Sequence, residues 1–143
     1  MSDPQCVAEA AARAMYDQDR ASQALGMRIL AVRPGHARLV MKVREDMVNG
    51  HQLCHGGLIF TLADSAFAFA CNTYDAVTVA SAASVEFLLP AGLGDELIAT
   101  ADERSRSKRT GVYDVAVHNQ RGECVALFRG RSHEIGGKVT VKP

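Results

Sequence analysis

Residues 49–72 constrain the fold of this chain more than any other segment. They read NGHQLCHGG followed by LIFTLADSAFAFACN. The first part is a polar, glycine-containing loop. The second is an almost wholly apolar helix candidate with one charge, Asp64. A helix that is apolar on every side is buried on every side, so the rest of the chain has to wrap it. A lone carboxylate on such a helix is desolvated at a cost unless it is paired or hydrogen-bonded. The segment therefore points to a site as well as a core.

The 143 residues suit one domain over 1–143, large enough to bury roughly two thirds of its unfolded surface. With 16 basic and 16 acidic residues there is no overall field to draw in nucleic acid or an anionic membrane. No charged N-terminal region precedes an apolar run, as a secretory signal requires. The longest apolar run is interrupted by Asp64 and is too short to span a bilayer. Cys6, Cys54, Cys71 and Cys124 are scattered without C-x-x-C spacing and read as reduced thiols that mostly fill the core. A cytoplasmic protein is expected.

Ser2-Asp3-Pro4 reads as a helix start, with a cap and a first-turn proline. An N-terminal helical region over about 4–25 follows, closing near Gly26. Residues 27–32 read as a strand and Pro34-Gly35 as a turn. In 37–43, Ala37, Leu39, Met41 and Val43 alternate with charged residues, with Val40 the exception, as in a half-buried strand. After the apolar helix, 77–89 is a long extended run stopped by Pro90. Strands over 97–106, 112–119 and 124–133 complete the pattern, and a frayed tail is expected after 136. Short turns make the last strands antiparallel neighbours. The predicted class is α+β: one long helix wrapped by a curved antiparallel sheet, plus an N-terminal helix.

His55-Gly56-Gly57 lies where the apolar helix begins, and free backbone N–H groups meet the positive end of the helix dipole there. Glycine lets a carbonyl approach such a backbone closely. Asp64 is eight residues further on, about 12 Å along the axis. A general base must come within about 3 Å of its proton or act through one water. One copy of the helix cannot easily present both groups to one reacting carbon. Two antiparallel copies can, with Gly56 of one subunit facing Asp64 of the other, which predicts a homodimer with two shared sites. Asn49 and His51, on the loop entering the helix, could hold a carbonyl or a water.

Other signals are weaker. His51, Cys54 and His55 lack a fourth ligand for a closed zinc site, so no metal is expected. Gly92-Leu93-Gly94 is a turn and not a dinucleotide fingerprint. Cys54 has no orienting partner in sequence and is a poor nucleophile candidate. In the basic run 104–109, Arg104, Arg106 and Lys108 would share one face of a strand and could hold phosphates; the alternative is a solvated hairpin end.

With these residues in view, the chain resembles the hotdog-fold acyl-CoA thioesterases, most closely their PaaI branch, the thioesterases of aerobic phenylacetate degradation. NGHQLCHGG-LIFTLAD carries the resemblance, and VASAASVEFLLPA, KRTGVYDVAVHNQ and VALFRGRSHEIG extend it. It implies a homodimer, commonly assembled as a homotetramer, hydrolysing aromatic acyl-CoA thioesters such as phenylacetyl-CoA and its ring-hydroxylated derivatives, with no cofactor. Gly56 would donate its N–H to the thioester oxygen, and Asp64 of the partner subunit would attack the carbonyl or activate a water. Asn49 would position the thioester or that water, with His55, Gly57 and His51 supporting the loop. Ser81 and Ser84 are alternative hydroxyl assistants. Arg104, Arg106, Lys108, Arg109, Thr110 and Gly111 fall where relatives bind coenzyme A. Leu58, Phe60 and Phe67 could wall the acyl group, though core packing accounts for each. The rival readings are a hotdog enoyl-thioester hydratase or dehydratase using His51 and Asp64, and a non-catalytic acyl-CoA sensor.

Overall fold

The computed structural model describes residues 3–141. Asp3 caps the first helix, α1 (Pro4–Gln18), by accepting from the Gln5 N–H at 3.1 Å, with Pro4 in the first turn. Ser2, the other residue of that start signal, lies outside the described residues. A short α2 (Arg20–Ala24) follows, then β1 (Arg28–Arg33) and β2 (His36–Lys42). A single 3-10 turn, Glu45–Met47, leads to the loop before α3 (Gly56–Cys71). The chain then forms β3 (Ala76–Phe87), β4 (Glu96–Ser107), β5 (Thr110–His118) and β6 (Cys124–Lys138).

The six strands form one sheet in the order β1-β2-β4-β5-β6-β3, antiparallel throughout. The sequence expectation of neighbouring last strands holds for β4, β5 and β6 but not for β3, which crosses over to pair with β6 at the far edge. The crossover is pinned: Leu88 N–H donates to the Val125 carbonyl and Cys54 N–H to the Ala91 carbonyl, both at 2.8 Å. It thereby brings the end of β3 against the start of α3. The tail differs as well. Gly136 and Gly137 have φ values of 94° and 90°, which a glycine pair adopts without strain, and β6 continues through them to Lys138. Beyond it, Thr140 bonds the Asp75 carboxylate from both its N–H and its hydroxyl.

α3 lies across the concave face of the sheet. Phe67, 1 % exposed, meets Tyr113 edge-on at a centroid distance of 5.6 Å and Phe128 at 5.8 Å. Gly130 leaves the room for this: a Cβ there would fall 2.9 Å from the Phe67 ring. Phe60 packs on Phe128 and Phe67 is fully enclosed, so both serve the core. Burial of α3 is not complete around its circumference. Ile59, Leu62, Ala63, Ala66, Phe69 and Ala70 are buried, but Gly57 is exposed and Thr61, Asp64 and Ala68 are half-buried. These four recur at helical spacing and form one open stripe. A sheet from one chain covers only one side of the helix. Among the described residues, no helix is long and apolar enough to cross a membrane.

Candidate active site

The loop before α3 is built around Asn49. Its Oδ1 accepts from the His51 N–H at 2.8 Å and the Leu53 N–H at 3.2 Å, while its backbone N–H donates to the Leu53 carbonyl at 2.7 Å. This consumes the acceptor end of the side chain. The Asn49 amide N–H2 has no partner among the described residues and is left to donate. His55 is tied back by its N–H to the Met47 carbonyl at 2.8 Å. Its ring caps α3, with Nδ1 accepting from the Gly57 N–H at 3.0 Å. Its carbonyl accepts from the Leu58 and Ile59 N–H groups at 2.9 and 3.3 Å. Three of the four first-turn donors are thereby satisfied. The fourth, the Gly56 N–H, has no partner among the described residues. It sits at the positive end of the helix dipole.

A groove of about 320 Å³ opens at this point, with Asn49, Gly56, Ile59 and Phe87 on its walls. The Phe87 ring lies so close that a Cβ on Gly56 would be 3.2 Å from Phe87 Cζ. Phe87 is absent from the candidates read from sequence, where VEFLLP reads only as an apolar run; its place here depends on the crossover after β3. His51 lies exposed on the loop and Gly57 on the open stripe.

Asp64 is not in this groove. It lies two turns further along α3, half-buried, with no hydrogen bond or ion pair to any described residue. Burial pushes its carboxyl above the usual carboxylate range. The two cysteines near these groups are inert. Burial raises Cys54, whose thiol faces the His55 carbonyl at 3.7 Å. Cys71 is pushed up to about 12, chiefly by burial and further by the Asp64 charge. Among the described residues, no three His, Cys, Asp or Glu side chains are grouped to hold a metal ion.

The two β3 serines are in different surroundings. Ser84 pairs with Arg129 and opens onto the outer face of the sheet beside Glu86, away from α3. Ser81 occupies the β3 bulge between Ala80 and Ala82 and donates to the Arg131 carbonyl at 3.2 Å. The basic run is divided too. A bulge between Glu103 and Ser105 shifts the register, so Arg104 and Arg106 do not share a face. Arg104 turns outward to Asp114 at 3.4 Å, whereas Arg106 turns inward over the Tyr74 ring. Lys108, in the turn with φ 55°, and Arg109 and Thr110 line the same hollow as Arg106, at the C-terminal end of α3. Gly111 is buried there, where a Cβ would fall 2.8 Å from Ser132 Oγ, so packing accounts for the glycine.

Comparison with known proteins gives this geometry a context. The family model of the thioesterase superfamily matches residues 51–126. The chain is 51 % identical over 129 residues to the acyl-coenzyme A thioesterase PaaI of Escherichia coli, spanning 90 % of this chain and 92 % of the relative. The chain belongs to the thioesterase superfamily, in its PaaI family. Its structure matches that of the E. coli PaaI protein from the phenylacetic acid degradation operon with a TM-score of 0.94 at 48 % identity, covering 95 % and 99 % of the two chains. A Streptococcus pneumoniae thioesterase structure with coenzyme A matches with a TM-score of 0.75 at 26 % identity, covering 78 % and 90 %. The wrapped helix is thus the hotdog thioesterase fold, and this thioesterase is a thioester hydrolase.

Proposed function

We propose that this thioesterase hydrolyses aromatic acyl-CoA thioesters, phenylacetyl-CoA and its ring-hydroxylated derivatives among them, to the free acid and coenzyme A, serving phenylacetate catabolism in the cytoplasm. The observation that carries the reading is the unpartnered Gly56 N–H at the helix dipole's positive end, facing a groove walled by Asn49 and Phe87. That donor suits the oxygen of a thioester carbonyl. It stabilises charge that develops as the carbonyl becomes tetrahedral, usually a large catalytic contribution.

The second half of the site comes from a partner subunit. β3 runs for 12 residues with a single neighbour and only one charged residue, Glu86, and it is largely exposed. A long, weakly charged edge is a template for another strand. Two copies joined antiparallel along β3 would set their α3 helices side by side and antiparallel, covering each other's open stripe. Gly56 of one subunit then faces Asp64 of the other. The same symmetry carries the basic hairpin across, because in one chain it lies at the opposite end of α3, about 24 Å from Gly56. Arg106, Lys108, Arg109 and Thr110 are our candidates for the coenzyme A phosphates. Two such dimers make the homotetramer.

In the base-catalysed route, Asp64 takes a proton from water, the hydroxide oxygen bonds to the acyl carbon, and the C–S bond breaks. The departing thiolate recovers the proton from Asp64. In the nucleophilic route, an Asp64 oxygen bonds to the acyl carbon, coenzyme A leaves, and water cleaves the resulting anhydride. The Asn49 amide donor positions the carbonyl or the water in either case. Ser81 is our candidate for a hydroxyl assistant, since Ser84 opens to the outer face.

A thiol-release screen over aromatic and linear acyl-CoAs tests the proposal. Phenylacetyl-CoA and hydroxyphenylacetyl-CoA are expected to have the highest kcat/KM. Absence of thiol release, or preference for long linear acyl groups, would overturn it.

A further inference from the structure

The groups under the basic hairpin form a device that neither the thioester chemistry nor the core explains. Tyr74, just beyond α3, and Tyr113 on β5 both donate their hydroxyls to one oxygen of Glu103, Oε1, at 2.8 and 3.0 Å. Tyr113 is 1 % exposed, so this end of the cluster is fixed in the core. From the other side the Gly35 turn presses on it. A Cβ on Gly35 would lie 3.0 Å from Glu103 Cβ and 3.1 Å from the Tyr74 hydroxyl. The Tyr74 ring therefore has little freedom to swing. Burial and the Glu103 bond push the Tyr74 hydroxyl up to about 12.

The Arg106 guanidinium lies 3.7 Å from the centroid of this held ring. Stacking occupies the flat face of a guanidinium and leaves its N–H edges free, the edges that match phosphate oxygens. Among the described residues, Arg106, Lys108 and Arg109 form no ion pair, whereas Arg104 and Arg129 both face Asp114. A hairpin end with three unpaired cations, one of them pre-oriented on a ring, is built for a polyanion.

We propose that Tyr74, held by Glu103 and Tyr113, is a positioning residue that fixes Arg106 for the phosphates of the adenosine end of coenzyme A. The inference rests on the acyl-CoA reading above and adds to it the residues that set affinity for the nucleotide part. Tyr74 touches neither the thioester nor the reacting atoms, so its influence belongs in KM and not in kcat.

The test compares a full acyl-CoA with the corresponding N-acetylcysteamine thioester, which carries no phosphate. Tyr74→Leu is expected to raise KM for the acyl-CoA about five- to tenfold with kcat unchanged. The same variant should hydrolyse the phosphate-free thioester as the native enzyme does. Tyr74→Phe, which keeps the ring face but loses the Glu103 bond, should have an acyl-CoA affinity between those of the native protein and Tyr74→Leu. Calorimetric binding of coenzyme A against pantetheine gives a readout independent of turnover: Tyr74→Leu should weaken the first and leave the second. Equal losses on both ligands, or unchanged coenzyme A binding in a folded Tyr74→Leu protein, would overturn the proposal. Failure of the acyl-CoA reading itself would be distinct, because the native protein would then release no thiol.

Discussion

Asp64→Asn is expected to lower thiol release by about 10²–10⁴-fold, the usual contribution of a positioned proton-transfer group, while leaving the fold and assembly intact. The substitution preserves shape and removes the charge. Asp64 has no partner among the described residues, and burial raises its pKa. An acid whose folded pKa lies above its unfolded value prefers the folded state when neutral. Ionisation therefore costs stability, and that cost develops as pH rises from the ordinary carboxylate range through the raised value. The variant does not bear this cost. Its melting temperature should match the native one in acid and equal or exceed it at pH 7, read by thermal unfolding at both pH values. The native rate needs the ionised form, so the acid limb of kcat/KM against pH should be displaced upward from that of a free carboxylate. Near-native turnover would remove Asp64 from the mechanism, and a marked loss of stability at pH 7 would give it a structural role instead.

Gly56→Pro is expected to cost about 10²–10³-fold in kcat, as removal of one oxyanion donor does. Proline suits this position for the helix. It is the first residue of α3, its N–H bonds nothing among the described residues, and His55 already has the extended backbone, φ −60° and ψ 131°, that a residue before proline requires. The substitution deletes the donor, and its ring also brings carbon atoms toward Phe87. Gly56→Ala is the steric control, since it brings a Cβ to Phe87 but keeps the N–H. The Phe87 ring is 53 % exposed and can yield. Alanine should therefore retain far more activity than proline, measured as kcat on a phenylacetyl thioester. Equal losses in the two variants would mean that crowding, and not the lost donor, is responsible.

The sequence revealed the groups that obey local rules. The Asp3-Pro4 helix start, the long apolar helix and the hairpins of β4, β5 and β6 follow from capping, periodicity and turn chemistry. The His55-Gly56 helix start was legible for the same reason, because an N-terminal donor is a local property of the chain. Features set by long-range pairing were not. β3 joins β6 through a crossover that no turn residue announces, and only that crossover delivers Phe87 to Gly56. The β4 bulge sends Arg104 and Arg106 to opposite faces, overriding strict alternation over residues 104–108. The Tyr74–Glu103–Tyr113 cluster joins residues from three separate segments and has no sequence signature.

The central claim is that each site takes Gly56 from one subunit and Asp64 from the other, and hybrid dimers test it most directly. Asp64→Asn and Gly56→Pro subunits, each inactive alone, are mixed in equal amounts under conditions where native mass spectrometry demonstrates exchange. A hybrid dimer then holds one site with both native groups and one with neither. Random exchange makes about half of the dimers hybrid, so about a quarter of native activity should return. No recovery in a population shown to contain hybrids would contradict the shared site.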